Sequence, residues 1–229
     1  MSCFIYNKFI TFGKKYKKMN NDLLSYTLLV VTSFFTLINP IGVMPVFLGV
    51  TSELSNKQKI KVARKSILLG TILILMFAFS GQFLFKLFNI SVDSLKIVGG
   101  AIFFVMGFDM LNARLSPIKG TKEEIADAVN NVAITPLAIP MLCGPGSITN
   151  AIVLMQDATT LSHKIIFVVG MLLVMILSYF IFIFASKIVK YIGKSGINIF
   201  LRLMGMIVMM IAVEFFLSGI KPFLEGIMH

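Results

Sequence analysis

The chain has 229 residues, of which 57% are hydrophobic and only 14% charged, against roughly 25% charged in an ordinary soluble domain. With a mean hydropathy of +0.92 it cannot cover its own apolar surface in water, so a soluble globular domain is excluded and a polytopic membrane protein is expected. The formal net charge of +11 is not a nucleic-acid footprint, because the basic residues lie between apolar runs, where they orient membrane spans.

The first 18 residues, MSCFIYNKFITFGKKYKK, hold five lysines and an apolar stretch too short for a signal peptide or a span. They are read as a basic N-terminal tail, disordered or preceding the true start at Met19. The rest, 19–229, is read as a single transmembrane domain. Cys3 and Cys143 lack metal-ligand spacing and are expected to be unpaired.

One span needs ~20 apolar residues, and the uncharged runs mark them in order. Residues 23–52 form a run of 30 and residues 66–85 a run of 20, while 97–113 give 17 if Asp109 is tolerated. A polar loop follows, NARLSPIKGTKEEIAD. Beyond it come 128–156 (29 residues), 165–186 (22) and 203–220 (18, if Glu214 is tolerated). The order long, medium, short occurs twice. In both halves the long run carries Pro and Gly and the short run carries an acid.

The two halves, about 19–113 and 128–220, also align by position. Asn39-Pro40-Ile41-Gly42 stands opposite Gly144-Pro145-Gly146-Ser147, an offset of 105 (144 − 39). KIVGG at 96–100 stands opposite RLMGM at 202–206, an offset of 106 (202 − 96). Three spans per half is an odd number, so the second half enters the membrane from the opposite side. The fold class expected is all-α, with six transmembrane helices arranged as two inverted three-helix repeats. Helices 1 and 4 are expected to be broken.

Orientation follows from Lys and Arg. Loops 53–65, 112–127 and 187–202 hold 12 basic residues and the opposite side holds 4, leaving the tail aside. The first group is therefore expected to be cytoplasmic and the C-terminus, near His229, to face outward.

The Pro and Gly positions matter because freed backbone groups in lipid each cost several kcal/mol unless protein or trapped water satisfies them. Such breaks survive where they are buried or line a cavity. Asn39, Pro40, Gly42 and Pro45 mark the first break. The second carries Pro136, Pro140, Gly144, Pro145 and Gly146, with the small polar residues Ser147, Thr149 and Asn150. Half-helix N-termini suit a carboxylate and unwound carbonyls suit an ammonium, so together these residues form a candidate site for a small zwitterion. Glu214 and Asp109, acids within spans, are candidate coupling groups. The Met-rich string MGMIVMMIAVEFF reads as packing surface at helical spacing rather than a metal site. No phosphate loop and no paired nucleophile and base are present, so no enzyme activity, cofactor or metal is expected.

The stretches NPIGVMPVFLGVT, PLAIPMLCGPGSITNAIV and GINIFLRLMGMIVMMIAVEFFLSGIK resemble the MarC family of bacterial and archaeal integral membrane proteins. The resemblance runs from about residue 19 to the C-terminus, and the extension before Met19 departs from it. It implies six spans in the inner (plasma) membrane. Family members are commonly uncharacterised. Some are described as transporters of small neutral amino acids, and the family is grouped with LysE-type exporters. The resemblance thus implies a transporter or exporter of a small polar solute, with lipid and solute as partners and no nucleic acid. The alternative is a non-transporting membrane protein acting in envelope integrity or as an assembly partner, with the Gly/Pro segments as packing devices.

Overall fold

The computed structural model describes residues 23–52, 54–112 and 131–227, without the side chains of 186–195, 197, 226 and 227. The tail 1–18, Cys3, His229 and almost all of the polar loop 112–127 lie outside the described residues.

Every regular element among the described residues is helical. α1 spans Leu23–Ile38, α2 Pro40–Val50, α3 Asn56–Leu87 and α4 Val92–Leu111. A π-wound segment, Ala133–Leu142, precedes α5, Pro145–Asp157, and α6 covers Leu161–Ile227. Among the described residues, five stretches are long and apolar enough to cross a membrane, or six if the bent pair Ala133–Leu142 and Pro145–Asp157 counts as one. With the bent pair counted as one, these candidate spans are numbered one to six in chain order: Leu23–Val50, Asn56–Leu87, Val92–Leu111, the bent pair, Leu161–Ala185 and Asn198–Glu225.

Local chemistry sets the ends. Ser55 and Gln58 form a capping box at the start of α3, with the Gln58 amide donating to Ser55 Oγ (3.4 Å) and the Ser55 amide to Gln58 Oε1 (2.8 Å). α3 closes with Asn89 in the left-handed region (φ 50°) and the Ile90 amide donating to the Phe85 carbonyl (2.9 Å). This is a Schellman ending, which satisfies carbonyls the last turn would leave bare. Ser91 caps α4 by accepting from the Ser94 amide (3.0 Å).

Two expected loops are helical instead. Residues 56–65 are the first turns of α3, and 187–202 lie within α6. Hydropathy marks the hydrocarbon layer and not the helix: Lys and Arg are good helix formers and can snorkel to the interface, so a helix runs on past its apolar core.

α6 is not one straight rod. Phe182 stacks on Phe47 (ring centroids 5.0 Å) and Leu201 lies against Gly49, two residues further along α2. Nineteen residues of straight helix would separate Phe182 from Leu201 by roughly 28 Å at 1.5 Å per residue. The chain therefore turns back between them, and the two spans of α6 run in opposite directions.

Contacts fix the remaining directions. Tyr26 meets His163 and Phe47 meets Phe182, so spans one and five run the same way. Tyr26 bonds the Leu154 carbonyl and Ser33 bonds Asn150, so spans one and four run oppositely. Gly70 packs on Leu142 and Gly81 on Ile152, which sets span two parallel to span four. Gly107 faces Gly205, Gly100 faces Ala212 and Gly219 faces Asp93, which sets spans three and six antiparallel.

The core lies between span one and the first half of α6. Val30, Phe34, Ile38, Val46 and Phe47 of span one and Phe167, Met171 and Val174 of α6 are wholly buried, and eight residues of α2 are wholly or nearly buried. Apolar faces stay exposed on the outside of the bundle, such as Leu24 and Leu28 on α1, Phe79 and Phe83 on α3 and Leu161 and Val169 on α6. In a bilayer those faces meet lipid.

Candidate functional site

Both runs expected to be broken are interrupted, but to different degrees. Span one is interrupted at a single residue, Asn39, and continues as one 28-residue span. Asn39 adopts the left-handed conformation (φ 45°, ψ 62°), which Asn tolerates better than most residues. Pro40 follows at the first helical position, where it needs no amide hydrogen. The Asn39 carboxamide folds over the new helix and its Oδ1 accepts the Gly42 amide (3.1 Å). A Cβ at Gly42 would collide with that carboxamide, so glycine there lets the cap close. The break in span one is thus capped from within: Asn39 supplies an acceptor for the Gly42 amide. Pro45 sits within α2, buried.

Span four is broken outright, with its two pieces meeting at 54°. Pro136 and Pro140 act through their predecessors: Thr135 (φ −127°, ψ 120°) and Ile139 (φ −125°, ψ 122°) are extended, as residues before proline prefer. Both Thr135–Pro136 and Ile139–Pro140 peptides are cis. The irregular stretch ends at Cys143, a buried free thiol whose amide donates to the Ala138 carbonyl (2.9 Å).

α5 then restarts in mid-span with Gly144 as N-cap and Pro145 at the first position. No side chain caps it. The Ile148 amide is the first to find a helical partner, the Gly144 carbonyl (2.9 Å). The Gly146 and Ser147 amides, which precede it in the first turn, have no partner within a helix. Ser147 is 1% exposed and its Oγ has no hydrogen-bond partner. Thr149 Oγ1, two residues on, is also buried and unpartnered. Asn150 differs, its Nδ2 donating to Ser33 Oγ of α1 (3.1 Å).

Three apolar side chains close on this helix start. Phe103 of α4 reaches Gly144, while Phe215 of α6 and Leu37 of α1 reach Gly146. The Phe103 and Phe215 rings lie 6.0 Å apart. Pro145 fits against Gly99 of α4, where a Cβ would overlap the proline ring. Leu37 stands two residues before Asn39, so the two breaks meet at the same level of the bundle.

The site expected from sequence therefore divides. Gly144, Pro145, Gly146, Ser147, Thr149 and Asn150 surround an open helix start, with Pro140 lending its carbonyl behind Gly144. Asn39, Pro40 and Gly42 form a closed one. Glu214 is exposed and Asp109 is half-buried near the end of α4. Sequence reading missed Leu37, Phe103, Phe215 and Gly99. The two phenylalanines are among 22 in the chain and carry no positional signal.

Fold and site define a polytopic, multi-pass helical membrane protein embedded in lipid, built around a broken span. The model for the MarC family integral membrane proteins matches residues 24–224, and the chain belongs to that family. A UPF0056 membrane protein of Methanocaldococcus jannaschii is 35% identical, covering 86% of this chain and 97% of the relative. The UPF0056 membrane protein YhcE of Escherichia coli K12 is 30% identical (85% and 92% covered), and YvbG of Bacillus subtilis 168 is 30% identical (87% and 96%). No solved structure matches the chain.

Proposed function

We propose that the protein is a secondary transporter of a small zwitterion, a neutral amino acid of the size of Gly, Ala or Ser, in the inner (plasma) membrane. The observation that carries this reading is the uncapped start of α5, where two unpartnered amides lie beside the orphaned, buried hydroxyl of Ser147. A helix N-terminus favours a carboxylate through its free amides and its dipole. Released carbonyls of the irregular stretch before it, and that of Thr36, whose helical donor would have been Pro40, suit an ammonium group. Broken helices with ends placed this way are the common substrate device of secondary transporters.

The same reading takes the two halves as an inverted repeat. Asn39 and Gly144, 105 positions apart (144 − 39), are both N-caps followed by proline at the first helical position. The three mate pairs implied by that offset, spans one and four, two and five, three and six, each run in opposite directions. Rocking of one half against the other around the breaks would then give alternating access. Glu214 and Asp109 remain candidate coupling acids.

The test is reconstitution. Purified protein in liposomes is expected to take up labelled Ala, Gly or Ser saturably, and Ser147→Ala to weaken that uptake. Absence of saturable uptake for all three, with and without a proton or sodium gradient, overturns the reading and favours a non-transporting role in which Gly107 and Gly205 simply pack helices.

A further inference from the structure

Gly144 has φ −85° and ψ 173°, an extended conformation open to any residue. Gly146 lies in the first turn of an ordinary helix. Neither glycine is there to bend the chain. What the two positions share is a phenyl ring pressed on the backbone. A Cβ at Gly144 would stand 2.5 Å from the Pro140 carbonyl oxygen and 2.9 Å from Phe103 Cζ, and one at Gly146 would stand 2.8 Å from Phe215 Cζ and 3.1 Å from Leu37 Cδ2. The glycines let two ring tips reach the turn that carries the unpartnered amides and the buried, unpartnered Ser147 hydroxyl. The rings come from different spans, α4 and α6, and lie 6.0 Å apart, so they wall the turn jointly.

We propose that Phe103 and Phe215 form the size filter of this site, admitting solutes whose side chain is no larger than a methyl or hydroxymethyl group. The inference rests on the transport reading above and adds the residues that set its specificity. A solute whose carboxylate is held by the Gly146 and Ser147 amides would place its α-carbon substituent beside the ring tips, and the larger that substituent, the further a ring must move. Ring volume, rather than any polar contact, is then what rejects Leu and Met. Removing one ring opens space for a side chain of about leucine size.

The experiment is competition against labelled Ala uptake in proteoliposomes, comparing wild type, Phe103→Ala, Phe215→Ala and the milder Phe215→Leu, with Phe79→Ala on the exposed face of α3 as control. Wild type and control are expected to be inhibited by Gly and Ser and little by Leu or Met. In the ring variants, inhibition by Leu and Met is expected to strengthen about 10-fold or more relative to Ser, the usual reach of steric discrimination in an apolar pocket. Phe215→Leu keeps the interface filled and is read if either truncation fails to fold. An unchanged order of inhibitors in variants that still carry Ala overturns the filter while leaving the transport reading intact. Wild-type protein that carries no Ala removes the transport reading itself, and the filter with it.

Discussion

Asn39 and Gly144 occupy the same position in two half-helices, each the residue before an N-terminal proline, yet only Asn39 closes its helix with its own side chain. One break has a side-chain cap on its Gly42 amide. The other presents bare amides in the middle of a span, where they are most costly to leave unmet.

Replacing Asn39 separates its two roles. Asn39→Gly keeps the left-handed backbone and loses the cap, and is expected to cost less than about 1 kcal/mol. Asn39→Ala loses the cap and strains the backbone as well, and is expected to cost about 2 kcal/mol. Thermal unfolding in detergent micelles checks the order, Asn39→Ala below Asn39→Gly, the reverse of the usual Ala-over-Gly preference within helices.

Gly144 and Gly146 should respond differently to one methyl group. At Gly144 the added carbon meets the Pro140 carbonyl at 2.5 Å, a backbone atom that cannot swing aside. At Gly146 it meets only side-chain ends, Phe215 and Leu37. Gly144→Ala is therefore expected to destabilise by about 1–3 kcal/mol, as overpacking does, and Gly146→Ala by clearly less. Melting temperatures of the two variants at equal membrane insertion decide it.

α4 and the second half of α6 touch backbone to backbone. A Cβ at Gly107 would lie 2.8 Å from the Gly205 carbonyl, and one at Gly205 would lie 2.7 Å from the Gly107 carbonyl. Small residues let membrane helices approach this closely. Gly107→Ala and Gly205→Ala are each expected to cost about 1–3 kcal/mol by forcing the helices apart. The double variant should cost less than the sum, because one separation makes room for both methyl groups.

Ser33 and Asn150 tie span one to span four by a single hydrogen bond of 3.1 Å. A double-mutant cycle with Ser33→Ala and Asn150→Ala is expected to give a coupling of about 0.6 kcal/mol, typical of side-chain bonds between membrane helices. A coupling near zero would mean the pair is incidental.

The spans were legible in the sequence because each is a long run without charge, and hydrocarbon tolerates little else. The breaks were legible because Pro40, Pro140 and Pro145 each remove a helical donor. The lengths of α3 and α6 were not: Lys57 to Lys65 look like a loop to hydropathy, although lysine and arginine extend a helix readily. Nor was the inequality of the breaks. It depends on where the Asn39 carboxamide folds and on Gly144 having no side chain to do the same. Phe103 and Phe215 stayed hidden for a further reason. Their role comes from contact across three spans, and nothing in an apolar run distinguishes a ring that faces lipid from one that faces a glycine.

Transport as proposed requires that the open start of α5 receive the solute carboxylate. The most direct measurement is equilibrium binding of labelled alanine to purified wild-type protein and to Gly146→Leu, at equal folded fraction. Saturable binding to wild type is expected, with its loss in the variant, whose leucine side chain stands beside the Gly146 and Ser147 amides. Equal binding by both proteins, or none by wild type, would contradict the proposal.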